Sequence, residues 1–267
     1  MKRFVVAAVV AVIWVGAVLP LGAQDIALFD PFNFKFESSR VRLNTMMRID
    51  SSSLETGAEL SFENDLGLGE KESIPTVAFE WQFSTKHRLA VRWQDIDRDS
   101  STQVLEEIRI GDEIISIDTD LGLGFEVDTW AIDYTYYPWI RDRWAAGFGF
   151  GVRIMDIITV FTADGTEVDA DGSVTAPLPY VNFEYRRIFG DKWRMRAGLG
   201  WLAVTYRDID GNQWIGRLSM EHQTFSNVGF GLGINYSTLD VESQGDEFKG
   251  KFDMDIDDIS LYVRVHF

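Results

Sequence analysis

The chain of 267 residues contains no cysteine, only 6 prolines and only 3 histidines. Without cysteine, a disulfide framework and any metal site with thiolate ligands are excluded. Basic residues are also scarce, because 25 Lys and Arg stand against 42 Asp and Glu and give a formal net charge of −17. This acidity argues against nucleic acid as a partner, since phosphate binding requires clustered positive charge.

Long hydrophobic runs are almost absent as well. One apolar run begins after Arg3 and reaches about Leu19, and small residues follow it. A short basic start, an apolar middle and small residues before a cut are typical of a secretory signal peptide, with cleavage expected after Ala23. No later stretch approaches the roughly 18 consecutive apolar residues that a spanning helix needs. We therefore expect a signal peptide at residues 1–23 and one exported domain at residues 24–267.

Alternation of apolar and polar residues is what the chain has in abundance. Apolar side chains occupy every second position of its last nine residues, at Ile259, Leu261, Val263, Val265 and Phe267. Successive side chains of a strand point to opposite faces, so this segment has one apolar and one polar face. Nine earlier segments alternate similarly, and we predict an all-β chain of about ten strands, with about 8 to 12 as the range. The first strand is expected to turn its apolar side chains toward lipid, namely Val41, Leu43, Met47 and Ile49.

The terminal strand, which ends on Phe267, resembles the closing strand of bacterial outer-membrane β-barrels. The resemblance extends over the whole mature chain and is closest to the small OmpA/OmpW-like barrels of Gram-negative bacteria. It implies a transmembrane, antiparallel, up-and-down β-barrel in the outer membrane, with both termini in the periplasm. It also implies outer-membrane lipid and lipopolysaccharide as surroundings. The barrel-assembly machinery is then a partner that reads a terminal signal formed by Leu261, Val263, Val265 and Phe267. An edge strand of a soluble β-protein is the alternative.

The connections between the predicted strands support the barrel. Short connections follow strands two, four, six and eight, whereas most of the others are long. Most of the 42 acidic residues fall in the predicted external connections, at residues 50–73, 97–124, 159–173, 208–212 and 239–258. Short periplasmic turns and long external loops are typical of outer-membrane barrels. Divalent cations are candidate partners of these loops, because hard cations bind carboxylate oxygens.

Charged residues recur on the faces that should point into the barrel, and they are the candidate site. The predicted lumen charge network consists of Arg42, Arg48, Glu80, Arg92, Asp133, Arg153, Glu184, Arg194, Arg196, Arg217, Glu221 and Arg264. Because an unpaired buried charge is costly, these side chains should pair across the lumen. Two interpretations stay open, a packed polar core or a narrow passage that the surplus arginines make favourable for anions.

Catalytic motifs are missing from the sequence. None of the histidines, His87, His222 and His266, lies near a serine in a known motif or in a predicted external loop, and no G-x-S-x-G occurs. We predict no catalytic residue, no metal site and no cofactor. The expected function is a non-enzymatic structural barrel or a narrow small-solute channel. A surface-binding protein that acts through its acidic loops is the alternative, and a lipid-modifying enzyme is a further one.

Overall fold

A computed structural model describes residues 26–50, 59–69, 71–103, 108–110, 113–167, 172–206, 209–244 and 249–267. The expected signal peptide lies outside the described residues. The ten long strands are β1 (Phe32–Ile49), β2 (Lys71–Ser84), β3 (His87–Gln103), β4 (Asp120–Arg141), β5 (Trp144–Ala163), β6 (Gly172–Phe189), β7 (Trp193–Tyr206), β8 (Ile209–Gln223), β9 (Val228–Gln244) and β10 (Lys249–His266).

These strands form a closed antiparallel barrel. Each strand pairs with its neighbours in the chain, and β1 also pairs with β10. Closure satisfies the backbone N–H and C=O groups that a sheet edge would leave unpaired. The prediction of a ten-stranded up-and-down barrel is therefore confirmed. Among the described residues, no helix has the length and apolar character needed to cross a bilayer.

The two ends of the barrel differ in their connections. We call one of them the turn end, because tight turns join Ser84 to His87 and Arg141 to Trp144 there, and the chain between β6 and β7 and between β8 and β9 is nearly as short. The opposite end, which we call the loop end, carries the longer connections. The connection from Tyr206 to Ile209 is an exception, and β8 already begins within the turn that was expected at residues 208–212.

Four short strands accompany the barrel at its loop end. Glu59–Ser61 pairs with β1, and Thr166–Glu167 pairs with the end of β5. Ile108–Ile110 and Glu113–Ile115 form a separate two-stranded hairpin. The barrel strands themselves have 14 to 22 residues. Because a tilted strand needs only about 9–11 residues to span a bilayer, these strands extend well beyond an apolar layer.

The inner face of the barrel is polar near the turn end and apolar near the loop end, and the outer face shows the reverse. Strand β1 illustrates this change. The register between β1 and β10 is unbroken from Asn33 opposite His266 to Ile49 opposite Gly250. The same face of β1 therefore points inward throughout, and it carries polar Lys35 and Glu37 near the turn end. We call the half of the barrel at the turn end the turn half, and the other half the loop half.

This reversal corrects the predicted orientation of the first strand. Val41 and Leu43 are 0% and 1% exposed and lie inside the loop half with Met47, not against lipid, and the side chain of Ile49 is outside the described set. Arg42 is exposed, and Arg48 is partly exposed beside Asp50, with 3.0 Å between Arg48 Nε and Asp50 Oδ1. Both arginines were expected in the lumen, and that expectation is wrong because the apolar residues of this part of β1 face inward and its polar residues face outward.

Candidate functional site in the lumen

Two buried carboxylates organise the interior of the turn half, and the first is Glu184 on β6. Its Oε1 accepts hydrogen bonds from Arg186 Nε and from the Tyr137 hydroxyl, both at 2.5 Å. Its Oε2 accepts from Arg88 Nη2 at 2.6 Å and from Arg196 Nε at 2.8 Å. One carboxylate thus compensates parts of three guanidinium groups.

The second carboxylate, Glu80 on β2, shares the same three cations. Its Oε2 accepts from Arg186 Nη2 at 3.1 Å and from Asn33 Nδ2 at 3.3 Å, and Arg88 Nη1 lies 3.0 Å from its Oε1. Arg196 Nη1 also contacts Glu80 Oε1. We call Glu80, Glu184, Arg88, Arg186 and Arg196 the Glu80–Glu184 cluster. With charges this close in a partly dry interior, loss of either carboxylate exposes the arginines to mutual repulsion.

A second ion-pair cluster lies nearer the junction of the chain ends. Arg264 donates to both oxygens of Glu221 at 2.8–3.0 Å, and its Nη1 donates to Asp30 Oδ2 at 2.5 Å. Arg194 Nη1 lies 3.1 Å from Asp30 Oδ2, and His266 Nδ1 lies 3.0 Å from Asp30 Oδ1. Burial alone would raise the pKa of Asp30, but the hydrogen bond with His266 and the charges of Arg194 and Arg264 outweigh burial and hold that pKa well below its usual range. Asp30 is therefore held as a carboxylate by the barrel wall.

Asp30 belongs to residues 26–31, which precede β1 and fill the turn end of the lumen. Ile26 is buried, and the carbonyl oxygen of Ala27 accepts a hydrogen bond from Arg194. The ring of Phe29 meets Tyr137 edge to face at 4.8 Å and lies 5.4 Å from the guanidinium carbon of Arg186. We call residues 26–31 the N-terminal segment, and its contacts with both ion-pair clusters close this end of the barrel.

Midway along the lumen a small cavity separates the two halves. Its volume is about 60 Å³, which is room for a few water molecules. Arg92 and Arg217 line it, and neither forms an ion pair or a hydrogen bond with a residue that the structure describes. The nearby Asp133 Oδ1 accepts hydrogen bonds from the Tyr180 hydroxyl at 2.6 Å and from Asn182 Nδ2 at 3.3 Å. Arg92 and Arg217 therefore lack direct ion pairs, whereas Lys35, which also lines the cavity, pairs with Glu37 at 2.6 Å.

The loop half is filled by an apolar core. Phe62 meets Phe125 edge to face at 5.2 Å, and Phe125 lies 6.3 Å from Phe252 across the barrel. Leu66 and Leu68 from the same connection are buried in this core, with exposures of 0% and 2%. Residues 59–69, which we call the inserted segment, thus place their apolar side chains in the lumen, whereas Glu59, Asn64 and Asp65 stay exposed.

A buried ion pair attaches the inserted segment to the wall. Arg98 Nη2 lies 2.6 Å from Glu63 Oε1 and 3.1 Å from the carbonyl oxygen of Gly69. The backbone N–H of Thr45 donates to Glu63 Oε2 at 2.7 Å. The segment is fixed by apolar burial and by a charge pair whose polar groups are largely satisfied.

The structure distributes the predicted network over distinct places. Ten of its twelve members lie on inward faces, and the exceptions are Arg42 and Arg48. The inward members are Glu80, Glu184 and Arg196 in the first cluster, Arg194, Glu221 and Arg264 in the second, and Arg92, Asp133, Arg153 and Arg217 around the cavity.

Four members of the ion-pair clusters were not predicted from the sequence, namely Asp30, Arg88, Arg186 and His266, and neither was Tyr137, which donates to Glu184. Arg88 alternates with outward Leu89, so the same pattern could have identified it. Asp30 carries no strand pattern, so only the fold brings it to Arg264.

Histidines and carboxylates are the side chains that could supply other chemistry. All three histidines lie at the turn end, where His87 Nδ1 lies 2.7 Å from the Tyr134 hydroxyl and His222 Nδ1 lies 3.2 Å from Thr224 Oγ1. Within the described ranges, no group of three or more His, Asp or Glu residues is arranged to hold a metal ion. Two D-x-D-G sequences occur in the predicted external connections, at residues 169–172 and 208–211, and both lie partly outside the described residues.

Comparisons with known proteins identify the fold. No protein-family model matches the sequence, and no curated protein matches it significantly. Among solved structures, the outer membrane protease OmpT from Escherichia coli aligns with 94% of this chain and 100% of its own, at 6% identity and a TM-score of 0.55. The translocator domain of the autotransporter NalP from Neisseria meningitidis covers 89% of both chains, at 8% identity and a TM-score of 0.46. This protein has an outer-membrane β-barrel fold, and at 6% identity the likeness to OmpT extends to the fold alone.

Proposed function

We propose that the protein is a non-enzymatic β-barrel of the Gram-negative outer membrane whose lumen is closed at rest. The observation that carries the proposal is that both halves of the lumen are filled. The N-terminal segment occupies the turn end through Asp30 and Phe29, and the inserted segment occupies the loop half through Phe62 and Leu66. A structural role needs such a filled interior, whereas an open channel needs a continuous aqueous path.

Conductance in planar lipid bilayers tests this proposal. The mature protein should give no steady current above that of protein-free bilayers, because the charged turn half and the apolar core leave no continuous path. The control is a barrel with the OmpT fold that is reconstituted by the same procedure and whose current is recorded in the same way. Long-lived, reproducible single-channel steps from the unchanged protein would contradict a closed lumen.

Location and orientation are part of the same proposal. We place the turn end and both chain termini in the periplasm and the loop end outside the cell, in agreement with the longer connections there. Gly165 at the loop end and Gly190 at the turn end form a matched pair, since both have positive φ and an added Cβ would meet no atom within 4 Å. An epitope inserted after Gly165 should be labelled on intact cells, and one after Gly190 only on lysed cells. The reverse labelling would invert the orientation.

Assembly provides a further test of the membrane location. Leu261, Val263 and Val265 alternate along the outward face of β10, and Phe267 follows the last residue of that strand and pairs its backbone with Phe32 at the barrel seam. Deletion of Phe267 should reduce the heat-modifiable folded fraction in outer membranes while export continues. Unchanged folded protein after this deletion would remove Phe267 from the proposed assembly signal.

A second candidate function is a narrow anion passage that opens when both the N-terminal segment and the inserted segment leave the lumen. Arg92 and Arg217 favour it, because they face the cavity without ion-pair partners among the described residues. A variant lacking residues 26–31 and 59–69 should then conduct and should prefer chloride over potassium. A variant that folds but stays silent would leave the structural role as the better account.

A further inference from the structure

The outer wall of the barrel carries a groove of about 710 Å³ that runs across β6 to β10 and onto β1. Its floor is Gly216 on β8, which faces outward between its cross-strand partners Leu199 and Tyr236. A Cβ at Gly216 would meet no atom within 4 Å, so the missing side chain creates the depth. The flanking Leu199, Tyr236 and Ile234 are 59%, 48% and 53% exposed. The lower part of the groove is thus an open apolar surface.

The groove rises toward the loop end as it crosses the strands. Its lining includes Phe183, six residues along β6 from Phe189 at the turn end, and Arg42, ten residues along β1 from Phe32. At about 3.3 Å per residue, this difference raises the β1 side by several ångströms. Arg40, two residues before Arg42, lines the same upper part of the groove.

Those two arginines stand where the apolar outer band ends. On β1 the outward side chains change from Phe34 and Phe36 to Ser38 and Arg40, and on β10 the change occurs between Ile259 and Asp257. Long basic side chains are favoured at this boundary because their stems lie on apolar surface while their charged ends reach the headgroup layer.

Charge at this boundary favours an anionic headgroup. Arg40 and Arg42 are both exposed, and neither forms an ion pair or a hydrogen bond with a described residue. Asp257 is the cross-strand partner of Arg42. The groove lining contains the three arginines Arg40, Arg42 and Arg217 and the two aspartates Asp257 and Asp258, so its net charge is positive. Guanidinium groups bind phosphate through paired N–H donors and are well suited to this role.

We propose that this groove binds one phosphorylated acyl lipid of the leaflet at the loop end. An acyl chain lies over Gly216 between Leu199 and Tyr236, and the headgroup phosphate contacts Arg40 and Arg42. The inference rests on the membrane location proposed above, but its test uses purified protein and is independent of where the barrel resides in the cell.

Titration with lipid A tests the proposal, using the full mature barrel in detergent micelles and native mass spectrometry to count bound lipid. R40Q/R42Q removes the headgroup contacts, and G216L fills the groove floor from an outward position with open space around it. R187Q is the matched control, because Arg187 is an exposed outward arginine at the turn end. Heat-modifiability on gels verifies that each variant is folded.

The expected result is one tightly bound lipid A per barrel, about tenfold weaker binding in both R40Q/R42Q and G216L, and unchanged binding in R187Q. Inorganic phosphate at millimolar concentration should not displace the lipid, since phosphate lacks the acyl chain. Equal affinity of the unchanged protein and either test variant would overturn the proposal. Complete displacement of lipid A by phosphate would overturn it as well, because the apolar groove would then contribute nothing to the affinity for the lipid.

Discussion

In the turn half of the barrel, charged side chains fill the interior and apolar side chains cover the outside, whereas the loop half reverses both. Glu80 and Glu184 lie inside the first region, and Phe62 and Phe125 lie inside the second. The backbone alternation is the same in both halves. Under the membrane location proposed above, what changes is the medium outside the wall, which is apolar around the turn half and aqueous around the loop half. The outer face follows the medium, and the inner face takes the complementary composition.

The two interiors are also stabilised differently. In the turn half, ion pairs replace the solvation that buried charges lose, so each carboxylate matters through the arginines it neutralises. In the loop half, stability follows from apolar area removed from water and from close contacts in the core. Substitutions that separate these two contributions are the sharpest test of the comparison.

Loss of a carboxylate from the turn half should have the largest effect. Glu184→Ala leaves Arg88, Arg186 and Arg196 with only Glu80 to compensate them, so we expect the free energy of unfolding to fall by about 3–5 kcal/mol. Glu126→Ala, which removes an exposed outward carboxylate from β4, is the matched control and should change stability by less than about 0.5 kcal/mol. Urea unfolding in lipid or detergent measures both. Similar losses of unfolding free energy in the two variants would mean that water in the lumen screens the charges of these arginines from one another.

Truncation in the loop half should cost somewhat less. Leu66→Ala creates a cavity in a core that the inserted segment and the wall form together, and we expect a loss of about 2–4 kcal/mol. The control is Leu199→Ala, whose side chain faces outward and is 59% exposed. Urea unfolding should show little change for the control. A negligible loss for Leu66→Ala would indicate that the inserted segment contributes no core packing.

Much of the fold could be predicted from the sequence, because alternation identifies the strands and separates an apolar from a polar face in each. Where the strand is inside the apolar layer, as in β10 at Leu261 and Val263, the phase was read correctly. In β1 the rule that the apolar face of a strand points outward failed at Val41 and Leu43. These residues lie in the loop half, where the apolar face points into the barrel. Alternation gives two faces, but it does not say which medium surrounds them.

The candidate site was predictable only in part, for a related reason. Glu184 and Arg196 sit within clearly alternating strands, and their inward direction follows from that pattern. Their partner Arg186 lies near the end of β6, where the pattern fades into a turn. Asp30 lies in no strand at all, and its contact with Arg264 spans nearly the whole chain. Local patterns carry no information about such a long-range contact.

Release of the N-terminal segment should have an intermediate effect. Asp30→Asn removes the charge that Arg194 and Arg264 share, and we expect a loss of about 1–3 kcal/mol at neutral pH. Because the pKa of Asp30 is held below its usual range, its contribution is fully present above about pH 4 and declines as the pH falls below that value. The difference between the unchanged protein and Asp30→Asn should therefore shrink in acid.

The control for this prediction is Asp142→Asn, because Asp142 is an exposed aspartate at the same end of the barrel. Urea unfolding at pH 7 and at pH 3 measures both variants. A difference between the unchanged protein and Asp30→Asn that stays constant between these pH values would show that the carboxylate charge of Asp30 does not anchor the segment.

The smallest effect is expected within the turn half itself, and it separates paired from unpaired arginines. Arg196→Met leaves Glu80 and Glu184 with fewer cations, so stability should fall by about 1–3 kcal/mol. Arg217→Met removes a guanidinium that faces the cavity without an ion pair, and replacing such a buried charge by an apolar side chain of similar length costs little. We therefore expect Arg217→Met to stay within about 1 kcal/mol of the unchanged protein in urea unfolding. A loss as large as that of Arg196→Met would show that Arg217 balances the acids around the cavity through water, and would make the turn half one continuous charge network.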